Sequence, residues 1–330
     1  MTEITFGITF AGVEYRCNPG ETVLESLIRH GVEPPSSCRN GSCQTCMMIA
    51  TAGTPPAEAQ KGLKPTLQQM GYFLACVCKP EMNMSVALPG KEAQPRIATT
   101  IIEKTALAPQ LIRLRLQPES PFEFQPGQFV NLHRNDGLIR SYSITSLPSA
   151  NQPSKSVVEL HIDRIANGKM SGWLHEQVNV GDCIEIDGPH GDCFYLNDKP
   201  QQNLLLIGTG SGLAPLWGIA RAALAQGHQG EIHLFHGSHS PERLYLIDEL
   251  KALASNHSNF YYTPCVSGGQ SLGFTSGRAN EVALQRFPKL GGWRVYLCGH
   301  PEMVNNTKRD AFLAGANFQD IYADPFTLSS

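Results

Sequence analysis

Apolar and polar residues alternate from Ile4 to Phe10 and again from Val13 to Cys17, on either side of Ala11-Gly12. A period of two flanking a turn predicts a β-hairpin. The period then lengthens. Thr22-Val23-Leu24-Glu25 has the form of a capping box, Leu24, Leu27 and Ile28 fall on one helical face, and Gly31 follows as a stop signal. Met47–Ala50, Phe73–Val77 and Met84–Leu88 are further strand candidates. The polar, Pro- and Gly-rich stretch Pro89–Pro95 reads as a linker.

Beyond the linker the pattern changes twice. Ile112–Leu116, Phe129–Leu132, Ser141–Thr145, Val157–Asp163 and Ile184–Ile186 are short β-runs between Pro/Gly turns, including Gln125-Pro126-Gly127-Gln128 and Gly188-Pro189-His190-Gly191. An antiparallel barrel is the natural solution, because closing a sheet removes its edges. From about residue 199, strands alternate with helical segments. The strands are Leu204–Ile207, Glu231–His236, Phe260–Val266 and Arg294–Cys298, and the helical segments include Leu213–Ala225 and Glu242–Ser255. A βαβ series predicts a parallel sheet wound by helices. The expected architecture is therefore multidomain, α+β and α/β, with domains at 1–92, 96–198 and 199–330. No internal repeat or low-complexity segment interrupts it.

Composition narrows the class. A chain of 330 residues with 41% hydrophobic and 17% charged residues is globular and too long for one ordinary core. A net charge of −3 gives no argument for nucleic acid or an anionic membrane. No stretch approaches a membrane span, and Met1–Phe10 lacks the form of a signal peptide, so a cytoplasmic location is expected. For Cys17, Cys78, Cys183, Cys193, Cys265 and Cys298, a reduced, buried thiol is the default in that compartment.

The other four cysteines are more specific. Cys38, Cys43 and Cys46 follow C-x4-C-x2-C, and Cys76 lies 30 positions beyond Cys46. This is the spacing of plant-type [2Fe–2S] ferredoxins: three thiolates from one loop and a fourth from a distant strand. The intervening Arg39-Asn40-Gly41-Ser42 and Gln44-Thr45 are small or turn-capable, and such a loop can aim backbone N–H groups at sulfur. Core thiols and a structural zinc site are the alternatives, but zinc sites usually draw on two C-x2-C pairs.

In the barrel block, Arg140, Tyr142 and Ser143 form an R-x-Y-S sequence suited to a flavin: a cation for the diphosphate, a ring for the isoalloxazine and a hydroxyl for its reactive nitrogen. Gly168-Lys169-Met170-Ser171 would open a helix facing the same diphosphate. In the third block, Gly208-Thr209-Gly210-Ser211-Gly212 and Pro215 join an apolar strand to a helix, the context of a dinucleotide loop. Cys298-Gly299 ends another strand of that sheet, where ligands of such folds collect.

With these motifs in this order, residues 96–330 resemble the ferredoxin–NADP reductase superfamily. The whole chain resembles the reductase components of bacterial ring-hydroxylating dioxygenases of the naphthalene and benzoate type. The resemblance implies a β-grasp ferredoxin, an FAD-binding barrel and a Rossmann-like nucleotide domain. It also implies FAD held by Arg140, Tyr142, Ser143 and Gly168–Ser171, and a C-terminal motif at Ile321–Phe326 whose Phe326 covers the nicotinamide side of the flavin. Cys298 and Phe326 would order the nicotinamide, and Ser143 would bond the nitrogen that receives hydride.

Three residues depart from the family pattern. Gln44 stands where glycine is usual, and Gly237-Ser238-His239 with Arg243-Leu244-Tyr245 has His for Arg and Arg for an acid. With no arginine at 238–240, NADH is expected to be preferred over NADPH by about tenfold, about 1.4 kcal/mol, unless Arg243 reaches the 2′-phosphate. The implied activity is an NAD(P)H-dependent reductase passing electrons through FAD and [2Fe–2S] to a partner protein such as a terminal oxygenase. The alternatives are a stand-alone reductase of small acceptors such as quinones and a non-enzymatic zinc or redox sensor. Neither the acceptor nor the oligomeric state is written in the sequence.

Overall fold

The computed structural model describes residues 5–91, 95–152, 156–269 and 272–326. Ile4 of the first expected strand and 92–94 of the expected linker lie outside them. The chain divides into two compact units, residues 1–94 and 95–330.

The first unit opens with β1 (Phe6–Phe10) and β2 (Val13–Cys17), the expected hairpin, and α1 (Val23–Arg29). The capping box is complete: the Glu25 N–H donates to Thr22 Oγ1 and the Thr22 N–H to Glu25. Leu24 and Leu27 are buried on the inner face, whereas Ile28 lies at its margin and is exposed. Then follow β3 (Met47–Ala52), α2 (Pro65–Gln69), β4 (Tyr72–Leu74) and β5 (Met84–Ala87). The sheet order is β2-β1-β5-β3-β4 with β1 and β5 parallel, a β-grasp over which α1 packs.

In the second unit, β6 (Ile97–Ala108), β7 (Leu111–Pro118), β8 (Phe129–His133), β9 (Ile139–Ser143), β10 (Val158–Asp163) and β11 (Cys183–His190) form an antiparallel sheet ordered β10-β7-β6-β11-β8-β9. A bridge between Ile144 and Leu160 joins the two edges, closing the barrel around a core that includes Leu114, Val130, Ile144 and Leu160. The helix α3 (Lys169–Glu176) follows β10.

The remainder comprises β12 (Leu204–Thr209), α4 (Leu213–Ala225), β13 (Ile232–Ser238), α5 (Ile247–Asn256), β14 (Phe260–Val266), β15 (Thr275–Ser276), α6 (Ala279–Arg286), β16 (Arg294–Gly299), α7 (Pro301–Leu313) and β17 (Ile321–Pro325). Helix α5 starts later than the sequence suggests, because Leu246 takes a left-handed conformation at φ 55° and leaves Leu244 extended. The parallel sheet is ordered β15-β14-β13-β12-β16-β17. The chain runs outward from β12 to β13 and then returns to β16 on its other side. The crevice beyond β12 and β16 is therefore a switch point, where doubly wound folds hold ligands.

One buried cation anchors this sheet. Arg294, 1% exposed, donates to both carboxylate oxygens of Asp198 (2.8 and 3.0 Å), to Asp320 (3.2 Å) and to the Leu196 carbonyl (3.2 Å). Arg294→Met would strip Asp198 of its ion-pair partner and leave Asp320 with Lys199 alone, a defect that costs roughly 3–5 kcal/mol. The expected result is a lower urea midpoint for the flavin-monitored transition. An unchanged midpoint would show that Lys199, 3.2 Å from Asp320, suffices alone.

Candidate redox sites

The cysteine loop is built by its backbone. Arg39 and Gln44 adopt φ of 56° and 59°, and Gly41 of 81°. These left-handed turns fold Cys38 and Cys43 onto each other, with the Cys43 N–H 3.3 Å from Cys38 Sγ and the Cys38 N–H 3.5 Å from Cys43 Sγ. Gln44 occupies a conformation that suits glycine and tethers its side chain to the Gly62 carbonyl at 3.0 Å. The Thr45 hydroxyl and the N–H groups of Cys38 and Thr45 lower the Cys43 thiol to about 6.

Cys76 sits in the turn after β4, not in a strand as the sequence suggests. Its sulfur meets the Cys46 thiol and the Gly41 N–H, and burial together with Cys46 pushes it up to about 11. Cys78 is turned away: fully buried, it faces Cys17 and is pushed up to about 12 by burial. Among the described residues no three of His, Cys, Asp or Glu gather as a single ion requires. The four cysteines instead come as two neighbouring pairs, 38 with 43 and 46 with 76. Two sulfurs for each of two irons fit that arrangement, and the N–H groups aimed at the sulfurs suit their charge.

Arg140, half-buried on β9, donates to its neighbour's Ile139 carbonyl at 2.7 Å and, among the described contacts, has no carboxylate partner. Gly168 caps α3 with no side chain to cover the first-turn N–H groups, an arrangement that suits an anion. Arg134 spans from the β8–β9 turn to the Lys169 carbonyl at 2.8 Å. The Met170 side chain is buried in the barrel core, which leaves its backbone to face a ligand. Ser171 is buried and its Oγ accepts the Ile165 N–H at 3.1 Å. Tyr142 is half-buried, packing against the barrel core.

At the switch point, Gly212 is held so tightly that a Cβ would lie 2.3 Å from the Cys298 carbonyl oxygen. At Gly299, φ 122°, a Cβ would lie 2.7 Å from the Thr209 carbonyl oxygen. The Gly208–Gly212 loop and the end of β16 are thus one surface. Pro215, lacking an N–H, is buried in the first turn of α4, and Ser211 and Gly212 lie in the turn that precedes it.

Beside this surface three elements converge. Ser143 Oγ of β9 donates to Asp324 Oδ2 of β17 at 3.3 Å. Asp324 pairs in register with Cys298, whose buried sulfur also lies 3.9 Å from Cys193 Sγ. Phe326 follows, its N–H bonded to the Gly299 carbonyl at 2.8 Å. Burial and the nearby Asp192 push the Asp324 carboxyl up to about 6, against the opposing pull of Ser143. Burial drives the Cys298 thiol well above its usual range. The sequence reading names Ser143, Cys298 and Phe326 but misses Asp324 and Cys193. The available signal was a carboxylate at the end of a short apolar strand. Cys183, by contrast with its expected burial, is exposed.

A β-grasp bearing paired cysteines, followed by a closed barrel and a nucleotide-type sheet that share a crevice, defines a flavin-dependent electron-transfer reductase with its own iron–sulfur domain. Sequence comparison agrees with each part. The 2Fe-2S iron-sulfur cluster binding domain family matches residues 8–81, the oxidoreductase FAD-binding domain family 98–195, and the oxidoreductase NAD-binding domain family 206–309. The chain is 33% identical over 317 residues to the reductase subunit of an aromatic O-demethylase from an Amycolatopsis species, covering 91% of this chain and 92% of that one. It is 31% identical over 313 residues to the ferredoxin–NAD(P)+ reductase component of the Pseudomonas putida naphthalene 1,2-dioxygenase system, covering 93% and 94%. The crystal structure of an Amycolatopsis cytochrome P450 reductase superposes with a TM-score of 0.69 at 30% identity, over 99% of this chain and all of that one. The chain belongs to the family of iron–sulfur flavoprotein reductases of the ferredoxin–NAD(P)+ reductase type. No helix among the described residues is long and apolar enough to cross a membrane.

Proposed function

We propose that this reductase takes hydride from NADH at the Ser143–Asp324–Cys298 crevice and delivers single electrons to an oxygenase-class protein in the cytoplasm. The observation that carries this reading is the convergence of β9, β16 and β17 on one crevice beside the glycine loop. The similar proteins that act as reductase components of oxygenase systems support the choice of partner. A reducing compartment suits four cysteines kept as thiolates.

A bound flavin accepts two electrons as hydride and releases them one at a time, which matches a nicotinamide to a one-electron cluster. The chain's residues position that chemistry. Arg140 and the α3 N-terminus at Gly168–Ser171 would hold the flavin diphosphate, and Tyr142 would offer its ring to the isoalloxazine. Ser143 would supply the hydrogen bond to the hydride-accepting nitrogen. Gly208, Thr209, Gly210, Ser211 and Gly212, with Pro215 behind them, admit the nucleotide diphosphate. Cys298, Gly299 and Phe326 order the nicotinamide. Cys38, Cys43, Cys46 and Cys76 would hold the two irons, which would pass electrons singly.

The test is turnover with NADH in three mixtures: a terminal oxygenase and its aromatic substrate, a quinone alone, and ferricyanide alone. Coupled oxygenation supports the reading, and quinone turnover that saturates at low concentration with no coupling to any oxygenase tried would replace it by the small-acceptor alternative. The flavin assignment has its own test. Arg140→Ala removes a charge-assisted contact worth about 1.5–3 kcal/mol, so FAD should dissociate roughly ten- to a hundredfold more readily. Recovery of flavin fluorescence on dilution measures this, and unaltered retention would remove Arg140 from the diphosphate site.

A further inference from the structure

Arg243 was the one residue that threatened the expected preference for NADH. In the structure its guanidinium is already engaged. Nη2 lies 2.8 and 3.1 Å from the two oxygens of Asp163 on β10, and Nη1 donates to Gln110 Oε1 at 3.1 Å. Both partners belong to the barrel, whereas Arg243 ends the short turn Pro241–Arg243 that follows β13. The Asp163 side chain is only 15% exposed, against 46% for Arg243, so the carboxylate is the fixed member of the pair.

The pair also borders the crevice. A cavity of about 160 Å³ is lined by Ala108, Gln110, Leu111, Asp163, Gly210, Glu242 and Arg243, among others. Gly210 belongs to the dinucleotide loop, and nothing lies within 4 Å of where its Cβ would be. In doubly wound folds the adenosine ribose is read beyond the end of the second strand, which here is β13. Among the described residues lining this cavity, Arg243 is the one cation, and Asp163 and Glu242 are the acids. With the guanidinium neutralised by Asp163, the wall carries net negative charge. A 2′-phosphate brings up to two negative charges, and the guanidinium that lines this cavity is already held by a carboxylate.

We infer that Asp163, a residue of the flavin barrel, sets pyridine-nucleotide specificity by holding Arg243 away from the 2′-phosphate position. Specificity is then a difference created by a sequestered cation rather than by an acid on the nucleotide strand. The inference rests on the proposed use of NADH at this crevice. It predicts that freeing Arg243 converts the site toward NADPH. Asp163→Asn keeps the shape of the side chain and removes its charge.

The experiment compares wild type, Asp163→Asn and the double variant Asp163→Asn/Arg243→Gln, all as FAD-loaded full-length protein at pH 8. Calorimetric binding of 2′,5′-ADP and of 5′-AMP is measured first, then flavin reduction by NADPH and by NADH. Asp163→Asn should bind 2′,5′-ADP about tenfold more tightly relative to 5′-AMP, about 1.4 kcal/mol, and raise the NADPH:NADH ratio of kcat/KM similarly. The double variant should lose that gain, which assigns it to the guanidinium. An Asp163→Asn protein with unchanged ratios overturns the inference, as does a gain that survives in the double variant. Should Asp163→Asn misfold, Asp163→Ser is the second variant and carries the same expectation. Failure of the wild type to bind 5′-AMP and to be reduced by NADH would instead overturn the function reading itself.

Discussion

Cys76→Ser is expected to yield a yellow protein in place of a red-brown one, without labile sulfide and with iron at background. Wild type should carry about two irons and two sulfides per chain. The variant should still be reduced by NADH, and ferricyanide should still be turned over, because the flavin and nucleotide motifs lie in the other compact unit. Transfer to any protein acceptor that takes electrons from the cluster should fall to background. The expected contrast is Cys78→Ser, two residues on, which should keep both the cluster and the transfer. The geometry separates the two: Cys76 faces Cys46 and the Gly41 N–H, whereas Cys78 faces Cys17 beneath α1. Cys78→Ser places a hydroxyl in that buried apolar position, so a modest loss of stability is its only expected cost. Iron lost from Cys78→Ser and retained in Cys76→Ser would reverse the ligand assignment.

Much of this arrangement was written in the sequence, for reasons that can be named. The cysteine spacing is a covalent constraint on one loop, so it survives any uncertainty in strand boundaries. The capping box at Thr22 and Glu25 is local, and its hydrogen bonds form as drawn. Longer-range features were less legible. Strand β6, the longest in the barrel, carries two register shifts, between Ile101 and Glu103 and between Ala106 and Ala108. Each shift breaks the period of two, which hides a strand from any alternation pattern. Strand β17 ends in Asp324-Pro325, a poor strand sequence that an edge position tolerates. The pairing of Arg243 with Asp163 joins residues 80 positions apart. No local pattern encodes such a contact. The same holds for Ser143 and Asp324, 181 positions apart, whose individual chemistry was visible and whose meeting was not.

That meeting gives the second large prediction. Asp324 titrates near pH 6, raised by burial and by Asp192, so its state changes just below neutrality. When ionised it accepts the Ser143 hydroxyl proton, and the serine's donor is spent on the carboxylate. When protonated, its own O–H can donate to Ser143 Oγ, which frees the serine hydrogen for the flavin nitrogen. The rate constant for hydride transfer from NADH, followed by stopped-flow, should therefore fall as pH rises through about 6. In Ser143→Ala it should drop on the order of 10²-fold and lose this step, the scale of removing one oriented donor from a reacting centre. In Asp324→Asn the amide N–H imitates the protonated acid, so the rate should be independent of pH and stay near the acid plateau. Stability supplies a check that does not involve turnover. The native carboxyl binds its proton more tightly than the usual carboxylate at 3.8, so its contribution is fully present below that pH and is lost as pH rises through about 6. Asp324→Asn should accordingly be more stable than wild type at pH 7.5, by roughly 2–3 kcal/mol for a shift of this size, and show no gain at pH 4. A pH step that persists in Asp324→Asn, or a rate at pH 8 as slow as that of Ser143→Ala, would mean that the carboxylate itself, and not the serine hydrogen it releases, serves hydride transfer.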